Sequence, residues 1–316
     1  MRFRSFLIAT AMFSTPALAA PKVIVSVVPA HAIVSAVMGD TGKPELLLSG
    51  KMSEHTANFS PMQISALGKA DLVFVIGTGL EAKLTQLSGS EAVNGKAFFE
   101  LSKADGVKTL PKREGGAWET HDHEAEEAGH DHDNDKDHDS EVMAPAFDPH
   151  SWLDPVNAAA MARAAAKELS KADPDNAATY AANAEAFTAS LDALSAEITT
   201  ELAPVRDKPY VVFHDAYQYF EARFGLKAVG SISDASAASP SARQLKEVRD
   251  KLAETNAVCV FREPQFDDNF VRVVIEGTKA KTGILDGIGA DLEPGPAAYP
   301  ALLRNLAKNL KDCLGG

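Results

Sequence analysis

Apolar positions change their spacing repeatedly along the chain, and each change marks a new element. Val23 to Val28 is a β-branched apolar run that predicts a strand. Ala30 to Met38 then predicts a helix, closed by Gly39. Leu46 to Leu48 predicts a short second strand. Ser60-Pro61 predicts a helix start, with serine as cap and proline in the first turn. Asp71 to Ile76 is a nearly continuous apolar run ended by Gly77. Its lack of alternation predicts burial on both faces, as in a parallel sheet. Alternating strands and helices of this kind predict an open α/β domain.

From Gly115 to about Ala144 the pattern vanishes. Asp154-Pro155 then opens a helical region that runs to about Ala203, with a break expected at Asp173-Pro174. So much helix at this point predicts a stiff spine bridging two domains. Beyond it the first pattern returns. Tyr210 to Phe213, Val229 to Ile232, Val258 to Phe261 and Gly283 to Leu285 read as strands. Ala216 to Phe224 (closed by Gly225), Ser239-Pro240 to about Asn256, Asn269 to Thr278 and Tyr299 to Leu314 read as helices. The expected fold class is α/β, with two open lobes of parallel-rich sheet joined by a long rigid helix. Its parts are a signal peptide over 1–19, an N-terminal lobe over 20–154, a linking helix over 155–204 and a C-terminal lobe over 205–316.

Composition sharpens this picture. The chain has 316 residues, enough for two cores, and its 45% hydrophobic and 24% charged residues are those of a globular protein. At the N-terminus, Arg2 and Arg4 precede the apolar stretch Phe6 to Phe13, and Ala17-Leu18-Ala19 is a small-residue cleavage signal. This predicts export, with cleavage after Ala19. No later run is long enough for a transmembrane helix. The formal net charge is −13, but eleven acidic residues and one lysine lie between Glu119 and Glu141, leaving only −3 elsewhere. The acidity is local, and nucleic acid is not an expected partner. In an exported protein, the pair Cys259 and Cys313 reads as a disulfide tying the last helix to a strand; metal ligation by the two thiols is the alternative.

The nine histidines form two populations. His121, His123, His130, His132 and His138 are interleaved with Asp and Glu in the segment without apolar periodicity. That segment predicts a disordered loop able to bind several divalent cations weakly. The bland alternative is a solvated charge run. Of the other four, His31 sits at the start of the first helix and reads as a packing residue. His55, in Ser53-Glu54-His55, and His214, after the strand Tyr210 to Phe213, lie on loops of the kind that bind ligands outside the carboxyl ends of an open sheet. His150 lies just before the spine, in Asp148-Pro149-His150-Ser151-Trp152. Asp286 ends the strand Gly283 to Leu285 and would point to the same crevice. Three imidazoles plus a carboxylate or water is a tetrahedral set that zinc accepts.

The segments Ser53-Glu54-His55, His150-Ser151-Trp152-Leu153-Asp154-Pro155, Phe213-His214-Asp215-Ala216-Tyr217-Gln218-Tyr219-Phe220 and Cys259-Val260-Phe261-Arg262-Glu263-Pro264-Gln265-Phe266 resemble the zinc-uptake solute-binding proteins of bacterial ABC importers, the ZnuA type of the cluster A-I metal receptors. The resemblance spans the mature chain in order and includes the His/acid segment. It implies two α/β lobes joined by a rigid helix, with the metal between them and His55, His150 and His214 as ligands. The fourth position varies in that family, and here Glu54, Asp286 or water could fill it. The resemblance also implies a disulfide between the two cysteines, and it favours zinc over manganese because manganese-binding relatives carry a carboxylate at the position of His214. Thr56, after the loop histidine, departs from the family's usual pattern but leaves the ligand in place.

The expected function is therefore capture of Zn2+ in the periplasm and its delivery to the membrane permease of an ABC importer, by a monomer and without catalysis. Two other readings remain. One is a manganese receptor of the same fold. The other is an exported zinc hydrolase, for which Glu54 or Glu263 could be imagined as a base although no His-Glu-x-x-His motif is present.

Overall fold

The computed structural model describes residues 20–315 except 51, 78, 92, 94–96, 114–115 and 119–146. The expected signal peptide and the five histidines of the His/acid segment lie outside the described residues.

The N-terminal lobe is a four-stranded parallel sheet. Its strands are β1 (Val23–Val25), β2 (Glu45–Leu46), β3 (Leu72–Val75) and β4 (Ala97–Glu100), in spatial order β2-β1-β3-β4. The C-terminal lobe repeats the plan with β5 (Tyr210–His214), β6 (Ala228–Ser233), β7 (Cys259–Arg262) and β8 (Lys281–Ile284), ordered β6-β5-β7-β8. In each lobe the second strand lies on one side of the first, and the chain then crosses over to place the third on the other side. A crevice therefore opens at the carboxyl ends of β1 and β3, and another at those of β5 and β7, as expected at the switch point of an open sheet. The strands β1, β3 and most of β7 are buried, which is why their sequences are unbroken apolar runs.

The helices are α1 (Val28–Met38), α2 (Pro61–Leu67), α3 (Ala82–Ser88), α4 (Pro155–Ala172), α5 (Ala177–Leu202), α6 (Gln218–Phe224), α7 (Ala242–Thr255), α8 (Asn269–Ile275) and α9 (Ala298–Leu314). Several begin and end where their termini find partners. Ser60 caps α2 through a reciprocal box with Gln63, and α6 ends on Gly225 at φ 70°. The cap of α7 is Ser241, two residues beyond the expected Ser239, because Ser241 and Gln244 form the reciprocal box. The helical region between the lobes is two helices. Asp173 and Pro174 stop α4, a 3-10 turn over Pro174–Asn176 reverses the chain, and α5 packs back along α4.

The spine α5 touches α1 of the first lobe and α9 of the second. Ile33, Val37 and Met38 of α1, Phe187 and Leu191 of α5, and Tyr299, Leu303 and Leu306 of α9 belong to one continuous buried core. The two lobes thus share a core across the spine. Among the described residues, no helix is long and apolar enough to cross a membrane.

Candidate metal centre

Three segments from different parts of the chain meet between the lobes. The first is the loop after β2. A turn at its start is closed by Thr56 donating to the Ser53 carbonyl at 3.3 Å, and Lys83 of α3 ties the loop down through the Thr56 carbonyl and the Asn58 amide oxygen. This loop carries Glu54 and His55. The second is the segment before α4. Asp148 accepts from the His150 backbone N–H at 3.0 Å, forming a local turn, and a 3-10 turn over Ser151–Leu153 follows. Trp152 wedges that turn into the other lobe: its Nε1 donates to the Gly287 carbonyl at 2.9 Å, and its own carbonyl accepts from Tyr299 Oη at 2.7 Å. The third is β5, whose last residue is His214 at the C-lobe switch point.

Glu54, His55, His150 and His214 each present one ligand atom, and these atoms lie within 4.8 Å of one another. The Nε2 atom of His150 is 3.4 Å from that of His55 and 3.3 Å from that of His214, and Glu54 Oε1 is 3.6 Å from His55 Nε2. Zinc–imidazole bonds of about 2.0–2.1 Å in a tetrahedron set nitrogen atoms about 3.3–3.4 Å apart. The two imidazole spacings match that edge.

Two of the three remaining ring nitrogens are committed. His150 Nδ1 is 2.7 Å from Asp148 Oδ1, and His214 Nδ1 is 2.7 Å from Glu263 Oε1. A carboxylate on Nδ1 holds a proton there, so that the Nε2 lone pair faces the pocket once the ring is neutral. Glu54 Oε2 is buried and has no hydrogen-bond partner, a costly state for a carboxylate oxygen unless a cation faces it.

Burial governs the electrostatics. His150 and His214 are 0% and 2% exposed, and Glu54 is 6% exposed. Desolvation pushes His55 and His150 well below the ordinary imidazole value, keeping them neutral and ready to ligate. Burial alone would do the same to His214, but Glu263 on its Nδ1 side lifts it instead to about 9. Desolvation also raises Glu54 and Asp148 to about 7 each. The pocket places buried carboxylates, whose charged forms burial disfavours until a cation arrives, beside two imidazoles that burial keeps neutral.

Asp286 does not join the group. Its Oδ1 accepts from the backbone of Ile288 and Gly289 and from the Gln265 side chain, at 3.1, 2.9 and 3.1 Å, and its Oδ2 accepts from Ala290 N–H at 2.7 Å. Asp286 shapes the loop after β8. His31 packs in α1, with Nε2 3.0 Å from the Pro44 carbonyl. Neither Asp148 nor Glu263 is expected from the sequence to orient a ligand; Glu263 enters there only as an imagined base of a hydrolase. The one sequence signal available is the closeness of Asp148 to His150.

A four-stranded parallel sheet on either side of a shared helical spine, with a nitrogen-rich donor set in the crevice, describes a two-lobed binding protein with a candidate metal site. Comparison with known proteins narrows this further. The family described as the zinc-uptake complex component A, periplasmic, matches residues 23–313, and the chain belongs to that family. It is 45% identical over 305 residues to the high-affinity zinc uptake system protein ZnuA of Brucella abortus (strain 2308), covering 92% of this chain and 91% of that protein. It is 36% identical to the protein of the same name from Paracoccus denitrificans (strain Pd 1222), covering 98% of each. A solved crystal structure of ZnuA superposes with a TM-score of 0.74 at 26% identity, covering 93% of this chain and 99% of that one.

Proposed function

We propose that this chain is the zinc receptor of a periplasmic uptake system. It captures one Zn2+ on His55, His150, His214 and Glu54 and presents the loaded protein to the membrane permease of an ABC importer. In this reading the mature chain starts at Ala20, after cleavage of the signal peptide, and acts as a monomer. Family membership supports the transport role. The observation that supports the site is the convergence of three Nε2 atoms and the buried Glu54 carboxylate, with imidazole separations of 3.3 and 3.4 Å.

Nitrogen donors outnumber oxygen three to one, which favours zinc over the oxygen-preferring manganese. Glu54 supplies a fourth protein donor, so the set reads as a closed carrier site. A hydrolase would keep that position open for water. The acidic, histidine-bearing segment 119–141 raises the local cation concentration by its field and passes ions onward.

Chelator competition on the mature protein tests the assignment. One tight zinc is expected per chain, and it survives deletion of residues 119–141. His55→Ala, His150→Ala and His214→Ala are each expected to weaken it by on the order of a hundredfold or more, since each removes one of a few bonds that together supply the binding energy. Tight binding that persists through all three changes and disappears with the segment would place the site in the segment instead.

A further inference from the structure

Residues 107–113 leave the N-terminal lobe beside the metal centre, and residues 116–118 lie on the C-terminal lobe. Lys108 exchanges two backbone hydrogen bonds with the side chain of Asn157 in the first turns of α4, at 2.8 and 2.9 Å. The Leu110 N–H donates to Tyr219 Oη, and the Leu110 carbonyl accepts from the Asp148 N–H at 2.8 Å. Gln218 Nε2 donates both to the Pro111 carbonyl, at 3.0 Å, and to Asp148 Oδ2, at 3.3 Å. Two residues on, Arg113 meets the residue beside His214. Its Nε lies 3.0 and 3.1 Å from the two oxygens of Asp215, its Nη2 also donates to Asp215, and its Nη1 donates to Glu221 at 2.7 Å. The guanidinium carbon sits 3.6 Å from the centroid of Trp118. The strap ends on the edge strand β6: Ser231 N–H donates to the Gly116 carbonyl and Trp118 N–H to the Val229 carbonyl. The approach is so close that a Cβ on Gly230 would lie 2.4 Å from the Gly116 carbonyl oxygen.

One short strap therefore holds Asp148, whose carboxylate orients His150, by its backbone at Leu110 and through Gln218 at Pro111, and holds the neighbour of His214 at Arg113. We propose that Arg113 is a positioning residue for the zinc site, bracing His214 against His150 at the spacing the ion requires without touching the ion. The inference rests on the receptor reading above.

The chemistry suits a brace. Asp215 and Glu221 are 2% and 5% exposed, and Arg113 is the cation placed between them. A planar guanidinium bonded to two buried carboxylates and stacked on an indole has its position set in every direction, which a flexible ammonium would not achieve. Removing it frees the strap from the residue next to His214 and leaves two buried carboxylates without their partner.

The test uses the mature full chain and its Arg113→Met, Arg113→Lys and Glu221→Gln variants. It reads zinc affinity by chelator competition, the visible absorption of the first equivalent of Co2+, and the melting of the zinc-free protein. Arg113→Met is expected to lose roughly 10- to 100-fold in zinc affinity, as for other groups that orient metal ligands. The Co2+ bands should shift or weaken with it, because the donor geometry relaxes. Arg113→Lys should recover part of the affinity, and Glu221→Gln should show a smaller change of the same sign. Wild-type affinity and an unchanged Co2+ spectrum in folded Arg113→Met would overturn the brace. If that variant does not fold, the same result in Arg113→Lys overturns it, since lysine keeps the charge and loses the fork. Failure of the receptor reading looks different: the unmutated chain would itself show no tight single ion.

Discussion

At the scale of single residues, the site is built from conflicts that a cation resolves. His214 is raised to about 9, so in the metal-free protein at neutral pH it carries a proton that zinc must expel. Glu54, raised to about 7 by burial, adds a second proton below that value. Both shifts run upward and both ligands bind metal only when deprotonated, so affinity falls as pH falls. We expect a loss of about tenfold per pH unit between 9 and 7, steepening below 7 as the second group takes part. Competition titrations from about pH 6 to pH 9 check this, as does calorimetry in buffers of different ionisation heat, which should show proton release. An affinity flat between pH 7 and 9 would mean that His214 is already neutral. That His55, His150 and His214 cluster could be anticipated from the sequence, because donor types in loops beside strand and helix ends are visible there; Glu54 was one of three candidates that the family resemblance left for the fourth position. The roles of Asp148 and Glu263 were not legible, because carboxylates that orient a ligand look like any other acid until the fold brings them to a ring nitrogen, nor was that of Arg113, whose partners Asp215 and Glu221 lie 102 and 108 residues away. Asp286 shows the reverse error: a carboxylate at a strand end was expected to face the crevice, and backbone amides claim both of its oxygens.

At the scale of elements, unbroken apolar runs and serine caps identified most strands and helices. What they missed has physical reasons. The strand β4 lies at a sheet edge and reads Ala-Phe-Phe-Glu, too short and mixed for its period to show, and α3 has just seven residues with no side-chain cap. The helical region was read with the correct break but as one spine, because periodicity carries no information on whether a chain reverses after a proline. The disulfide between Cys259 and Cys313 joins β7 to α9 with a Cα–Cα distance of 6.2 Å and a sequence separation of 54. Closing a loop of that size is worth about 4 kcal/mol in the chain-entropy account. The double change Cys259→Ser/Cys313→Ser should therefore lower Tm by roughly 10 °C. Zinc affinity of the folded variant should stay unchanged, because Cys259 begins β7 whereas Glu263 follows its opposite end. A folded variant with lost zinc binding would return the cysteines to the list of ligands.

At the scale of the whole molecule, the question is how loading becomes visible to a membrane partner. Wide hinge closure needs lobes that can part at a few linker residues. Here parting them would expose a shared core: Phe187 of α5 packs edge-on against Tyr299 of α9 with ring centroids 5.8 Å apart, and Trp152 is fully buried with its indole N–H bonded across to Gly287. Re-exposing each such side chain costs about 1.5–3 kcal/mol, and several would be exposed together. The strap adds a second fastening, pairing Gly116 and Trp118 with β6. Release of zinc is therefore expected to change the start of the loop that carries Glu54 and His55, which is held by the polar bonds of Lys83 ahead of the core contacts of Ala57 and Phe59, more than the angle between the lobes. Small-angle scattering of the zinc-loaded and zinc-free chain, with and without residues 119–141, should give superimposable curves for each pair. Hydrogen exchange should find the loss of protection on zinc removal concentrated between Ser53 and Ser60. A resolved increase in radius of gyration on zinc removal, present also in the deleted chain, would show that the spine bends and that lobe opening carries the signal instead.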